Sequence, residues 1–104
     1  MNIVTEQEIH DAYDALSKAT TNVHKIQEHL IAVQDNLDEA NYDTVHKRYK
    51  GTKEEHLSLI NTILNEREDT EKEKRESEFV LAKAHVEVDR IRSLLLFIQK
   101  GEIQ

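Results

Sequence analysis

The chain has 104 residues, 34% of them charged, with a net charge of −7, two glycines, and neither proline nor cysteine. That length allows one domain, residues 1–104, and the composition suits long helices, because sheets and irregular folds depend on turn formers. The missing cysteines exclude disulfides and thiolate chemistry, the acidity disfavours direct nucleic-acid contact, and no apolar run approaches the ~20 residues of a membrane span.

The chain opens with Met1–Glu8, which lacks the basic start of a secretory signal, so a cytoplasmic location is expected. Thr5 followed by Glu8 is a capping box, which starts the first helix at about Glu6. With Ile9 as heptad position a, the a positions are Ile9, Leu16, Val23, Leu30 and Leu37, and the d positions are Ala12, Ala19, Ile26, Val33 and Ala40. Every seam position is apolar over five heptads, the signature of a helix that keeps one narrow stripe against a partner helix. The pattern predicts a helix over about residues 6–40. Asn41-Tyr42-Asp43-Thr44 is the expected break, since Asn and Asp compete for backbone hydrogen bonds. A short helical turn over about 43–50 is expected to stop at Gly51, and Thr52 with Glu55 opens the next helix.

The second helix is predicted over about 53–99. Its a positions are Ile60, Arg67, Lys74, Leu81, Val88 and Leu95, and its d positions are His56, Ile63, Thr70, Ser77, Ala84, Ile91 and Ile98. Both ends of this seam are apolar and the middle, Arg67 to Ser77, is polar. The pairs Glu68–Lys72 and Glu71–Arg75 stand at i,i+4 in the favourable order, so the charged stretch Asn65–Glu78 reads as continuous helix. A break near Asp69, with Thr70 and Glu73 as a third capping box, is the competing reading. A simple hairpin sets Leu37 near His56 and Val33 near Ile60, which opposes apolar Val23 and Ile26 to polar Arg67 and Thr70. It also carries Val88–Ile98 past the start of the first helix. The expected architecture is therefore all-α: a long helical hairpin or coiled-coil-like bundle, completed by homodimerisation, with the charged stretch as a solvated bridge.

Chemistry-bearing patterns are sparse. Glu6–His10–Asp14, His24–Glu28 and His85–Asp89 stand at i,i+4, but no two histidines share that spacing, as a metal site would want. Solvated His–carboxylate pairs account for them, so no metal, cofactor or catalytic residue is expected. Between Glu66 and Glu78 seven acids are interrupted by Arg67, Lys72, Lys74 and Arg75, which fits a solvated helix better than a DNA mimic of one sign. Leu94-Leu95-Leu96-Phe97-Ile98 is different, because five consecutive apolar residues point all round a helix. Leu96 and Phe97 fall at b and c, away from the seam, and Phe79, Val80 and Val86 extend the apolar surplus. Leu96, Phe97 and Phe79 are thus the candidate partner-binding residues, with Tyr42 and Tyr49 next.

A small acidic all-helical chain opening Met-Asn-Ile-Val-Thr-Glu-Gln-Glu-Ile-His-Asp-Ala-Tyr resembles early proteins of siphophages of Gram-positive bacteria. In length and character it is similar to a phage inhibitor of the host helicase loader, an ATPase of the AAA+ class. That resemblance implies a helical dimer that binds the loader in the host cytoplasm and blocks its assembly or its contact with DNA. The other function class in view is a structural or assembly coiled coil, such as a small phage scaffold or chaperone.

Overall fold

The computed structural model describes residues 4–103 of the backbone and side chains as far as Gln99. The described chain is all-α, a helical hairpin of two helices: α1, Glu6–His46, and α2, Lys53–Ile103. Both start where the capping boxes put them. Thr5 Oγ1 accepts from the Glu8 amide at 3.1 Å, and Thr52 Oγ1 accepts from the Glu55 amide at 3.1 Å. Each satisfies a first-turn N–H that has no partner within the helix.

The end of α1 corrects the expected break at Asn41–Thr44 and the separate turn over 43–50. The helix continues through these residues because Thr44 turns its hydroxyl back on its own helix, donating to the Ala40 carbonyl at 2.9 Å. It stops six residues later than expected, in a Schellman arrangement. The Arg48 amide donates to the Asp43 carbonyl at 2.9 Å, and the Lys47 amide donates to the Thr44 carbonyl at 3.3 Å. Lys47 supplies the left-handed residue, with φ 53°, where glycine is the usual occupant. Gly51, with φ 87°, makes the second reversal before the Thr52 cap. The charged stretch Asn65–Glu78 is unbroken helix, and Thr70 donates to the Glu66 carbonyl at 2.7 Å rather than capping a new one.

The chain divides into two compact units. Unit 2, His24–Arg75, contains the connection between the helices; unit 1 takes α1 up to Val23 and α2 from Glu76 onward. In unit 2 the seam buries Val33, Leu37, Ala40, His56 and Thr70, with Ile26, Leu30, Ile60 and Ile63 half-buried. His56 meets the Ala40 carbonyl, and Arg67 donates to Gln34 Oε1 at 3.3 Å. In unit 1 the core is Ala12, Val88 and Ile91, with Val4, Ile9 and Leu16 packed against it. Ala19, Val23 and Ser77 are also buried there, and Leu81 and Ile98 are half-buried.

These pairings overturn the premise that one chain leaves its seam uncovered. Val88 and Ile91, expected to project past α1, are only 4% and 1% exposed. The physical reason is the extra length of α1, which moves the turn-around point and sets His56 against Ala40 rather than Leu37, and Val88 and Ile91 against Ala12. The charged stretch Asn65–Glu78 is solvent-exposed at most of its positions, but its seam positions are covered. Thr70 and Ser77 are buried, and Arg67 and Lys74 are half-buried. Leu95 alone among the apolar seam residues is classed as exposed, at 39%, level with the start of α1.

Because Lys47 holds a conformation that costs most L residues about 1 kcal/mol or more, Lys47→Gly is expected to stabilise the protein by about 0.5–1 kcal/mol in chemical denaturation. Gly51→Ala should lose a similar amount. Val23→Asp, which drives a carboxylate into the seam of unit 1, is expected to cost several kcal/mol; an unchanged melting curve would show that Val23 is not in the core.

Candidate functional site

The five candidate partner-binding residues are divided between the two units. Phe79, Leu96 and Phe97 belong to unit 1, whereas Tyr42 and Tyr49 belong to unit 2.

In unit 1 the seam fixes the bearing of α2, and the surplus apolar residues follow from helical geometry. Seven and eighteen residues return a side chain to nearly the same direction, so Phe79, Val86 and Phe97 share the face opposite the seam. Phe79 is 61% and Phe97 76% exposed, and Val80, Val86 and Leu96 are exposed around them. The Lys83 ammonium lies 4.6 Å above the Phe79 ring, a cation–π contact that covers part of it. Further along the face, Arg90 grips Glu87 with two hydrogen bonds, Nη2 to Oε1 at 2.6 Å and Nε to Oε2 at 3.0 Å. The hydrogen bonding from Arg90 holds the Glu87 carboxyl below the usual carboxylate range.

In unit 2 the aromatic residues gather at the connection. Tyr49 stacks on His56, with centroids 4.3 Å apart and planes 12° from parallel. His56 is 5% exposed, and its Nε2 lies 3.2 Å from the Ala40 carbonyl and 2.7 Å from Thr44 Oγ1. A carbonyl only accepts, so Nε2 carries the proton in this arrangement, and the Thr44 hydroxyl donates onward to the same carbonyl. The arrangement locks the end of α1 onto the first turn of α2. Tyr42 points elsewhere, against the His46 ring at 4.1 Å, with the Arg48 guanidinium 5.6 Å from its own ring. An open cleft of about 770 Å³ lies beside His56, with Glu39, Asp43, Glu55, Arg48 and Lys50 mixing both signs on its walls.

The histidine–carboxylate ladders on α1 lie at solvent-exposed positions, and Asp14 also pairs with Lys18 at 2.9 Å; that hydrogen bond, then the lysine charge, lowers its pKa, with a smaller contribution from His10. His29 reaches across to Glu66, Nε2 to Oε1 at 3.2 Å. Among the described residues no group of three or more His, Asp or Glu is placed to hold a metal ion, and no helix is long and apolar enough to cross a membrane. Every buried side-chain nitrogen or oxygen among them has a hydrogen-bond partner. Sequence reasoning put His56 on the seam but missed its role as a lock; a histidine at d, twelve residues after a threonine, was the only available signal. It also missed exposed Ile31, Val45, Leu57 and Leu59, which lie off the heptad stripe.

Compared with known proteins, the chain matches no family model, no curated sequence and no solved structure.

Two outcomes follow. Thr44→Val keeps the shape and removes the hydroxyl, and is expected to cost about 1 kcal/mol in thermal unfolding, with His56→Ala costing more. Asp14 and Glu87 both have depressed folded-state pKa values, so their contribution is present above the ordinary carboxylate pKa and lost as pH falls through the lowered values. Both groups are exposed, so the acid-side loss in an unfolding series should be small and fade with added salt.

Proposed function

We propose that the chain is a non-enzymatic protein-binding module, an inhibitor of phage type acting in the host bacterial cytoplasm. Its favoured target is a AAA+ helicase loader, whose assembly or contact with DNA it would block. One observation carries the binding role: unit 1 turns Phe79, Val86, Leu96 and Phe97 into solvent on the face of α2 opposite the seam. Large apolar side chains there add nothing to the core and carry an aggregation risk, so they are best explained as contact residues. Aromatic anchors of this kind dominate binding when they fill a partner's pocket, at ~2 kcal/mol or more each. The choice of target rests on the resemblance to phage early proteins. A homodimer belongs to the same reading, since the apolar face would otherwise stay wet between encounters.

The test is capture of purified helicase loader by the full chain and by the double variant Leu96→Ser with Phe97→Ser. Helicity by circular dichroism should be unchanged and the affinity about tenfold or more weaker. Undiminished capture by a folded variant would move the contact elsewhere, with Tyr42, Tyr49 and Phe79 next in line. A wild-type chain that captures no loader would remove the favoured target.

A further inference from the structure

The outer face of α2 in unit 1 carries two phenylalanines placed symmetrically about Val88. A phenyl ring stands at each end, Phe79 and Phe97, with Lys83, Val86 and Arg90 between them and Glu87, the ion-pair partner of Arg90, on one rim near the middle. Eighteen residues, five full turns and ~27 Å, separate the two rings, so both have the same bearing.

That pattern suits a second copy laid antiparallel. With a two-fold axis level with Val88, Phe79 of one chain meets the partner's Phe97, and the contact is made twice, as a closed isologous interface requires. Near the axis, the partner's Arg90 stands level with Val86 and within one residue's rise of Glu87, so two carboxylates and two guanidiniums alternate around it. A parallel two-fold pairing would set Arg90 against Arg90, which like charges resist, and would put the two Glu87 carboxylates on opposite rims, away from the partner's Arg90. Asp89 falls on the opposite rim, where solvent screens it from its symmetry mate. The size also fits. At their observed exposures the two phenyl rings leave roughly 270 Å² of apolar surface per chain. Doubled across the axis and joined by Val86, which shares the face, this stays below ~1,200 Å², the size of weak, reversible associations.

We propose that this face is the interface of an antiparallel homodimer with its two-fold axis level with Val88, and that a second copy is its occupant whenever no other protein is bound. The inference rests on the reading of the face as a protein-recognition surface and names its resting partner. Dimer and bound target then compete for Phe79 and Phe97, so self-association sets how much of the chain is free to act.

Sedimentation of the full chain across the micromolar range should show a reversible shift from 12.1 kDa to twice that mass. Phe97→Ser and Phe79→Ser should each weaken the association tenfold or more, by similar factors, because each ring is the other's contact. The cysteine-free chain also allows a directional test at two small, exposed positions on this face, Ala82 and Ser93. A mixture of the Ala82→Cys and Ser93→Cys proteins, mildly oxidised, should form mainly the mixed disulfide, whereas each alone forms little. A chain monomeric throughout overturns the proposal, as do dimers that survive both phenylalanine changes or cross-link mainly Ala82→Cys to itself. None of these measurements needs a target. A monomer that captures the loader overturns the dimer alone, and a dimer that captures nothing overturns the proposed target alone.

Discussion

The end of α1 governs most of what the rest of the chain can do. Two antiparallel helices face each other according to where the chain turns round, so each residue added to α1 slides every later pairing. Thr44 bonds back to Ala40, and Lys47 accepts a left-handed conformation; together they place the turn at residues 47–52. With that turn, His56 reaches the Ala40 carbonyl in unit 2, and Val88 and Ile91 meet Ala12 in unit 1. Ending the helix at Ala40 would have left those apolar residues without a counterpart.

The polar centre of α2 shows how a seam can carry residues that heptad logic rejects. Thr70 spends its hydroxyl on the carbonyl one turn back, so only its methyl group and a satisfied oxygen face α1. Thr20 and Thr62 make the same i−4 bond elsewhere. Arg67 keeps its stem at the seam while its head reaches Gln34, as long charged side chains do at helix interfaces. Small hydroxyl residues thus thin the core without leaving a buried polar group unpaired. They also make it a weakly apolar core, which throws the exposed rings of Phe79 and Phe97 into sharper relief.

Much of the fold was legible because it depends on local rules. The caps at Thr5 and Thr52, the unbroken apolar stripe of α1 and the helical character of Asn65–Glu78 are all set by residues within one or two turns. The length of α1 was not, because Asn41 and Asp43 are statistical breakers whereas the bond from Thr44 to Ala40 needs the helix already in place. That error propagated into the register and made the seam look uncovered. The exposure of Leu96 and Phe97 was legible from heptad position alone. That Tyr42 and Tyr49 belong to the other unit was not, since it depends on which stretches of the two helices pack together, and Tyr49 is held by a histidine contact that no local pattern encodes.

The two units also differ in how far along the chain their contacts reach. Ala40 and His56 are separated by 16 residues, whereas Ala12 meets Val88 and Ile91 across roughly 75–80. Closing the shorter loop costs less entropy, so the hairpin should zip from its connection, with unit 2 forming early and unit 1 completing late. The same asymmetry works in reverse under load or in a chain still emerging from the ribosome. The first half of a nascent α1 has no partner until the last quarter of the chain arrives, and its apolar stripe from Ile9 to Val23 stands open for that interval.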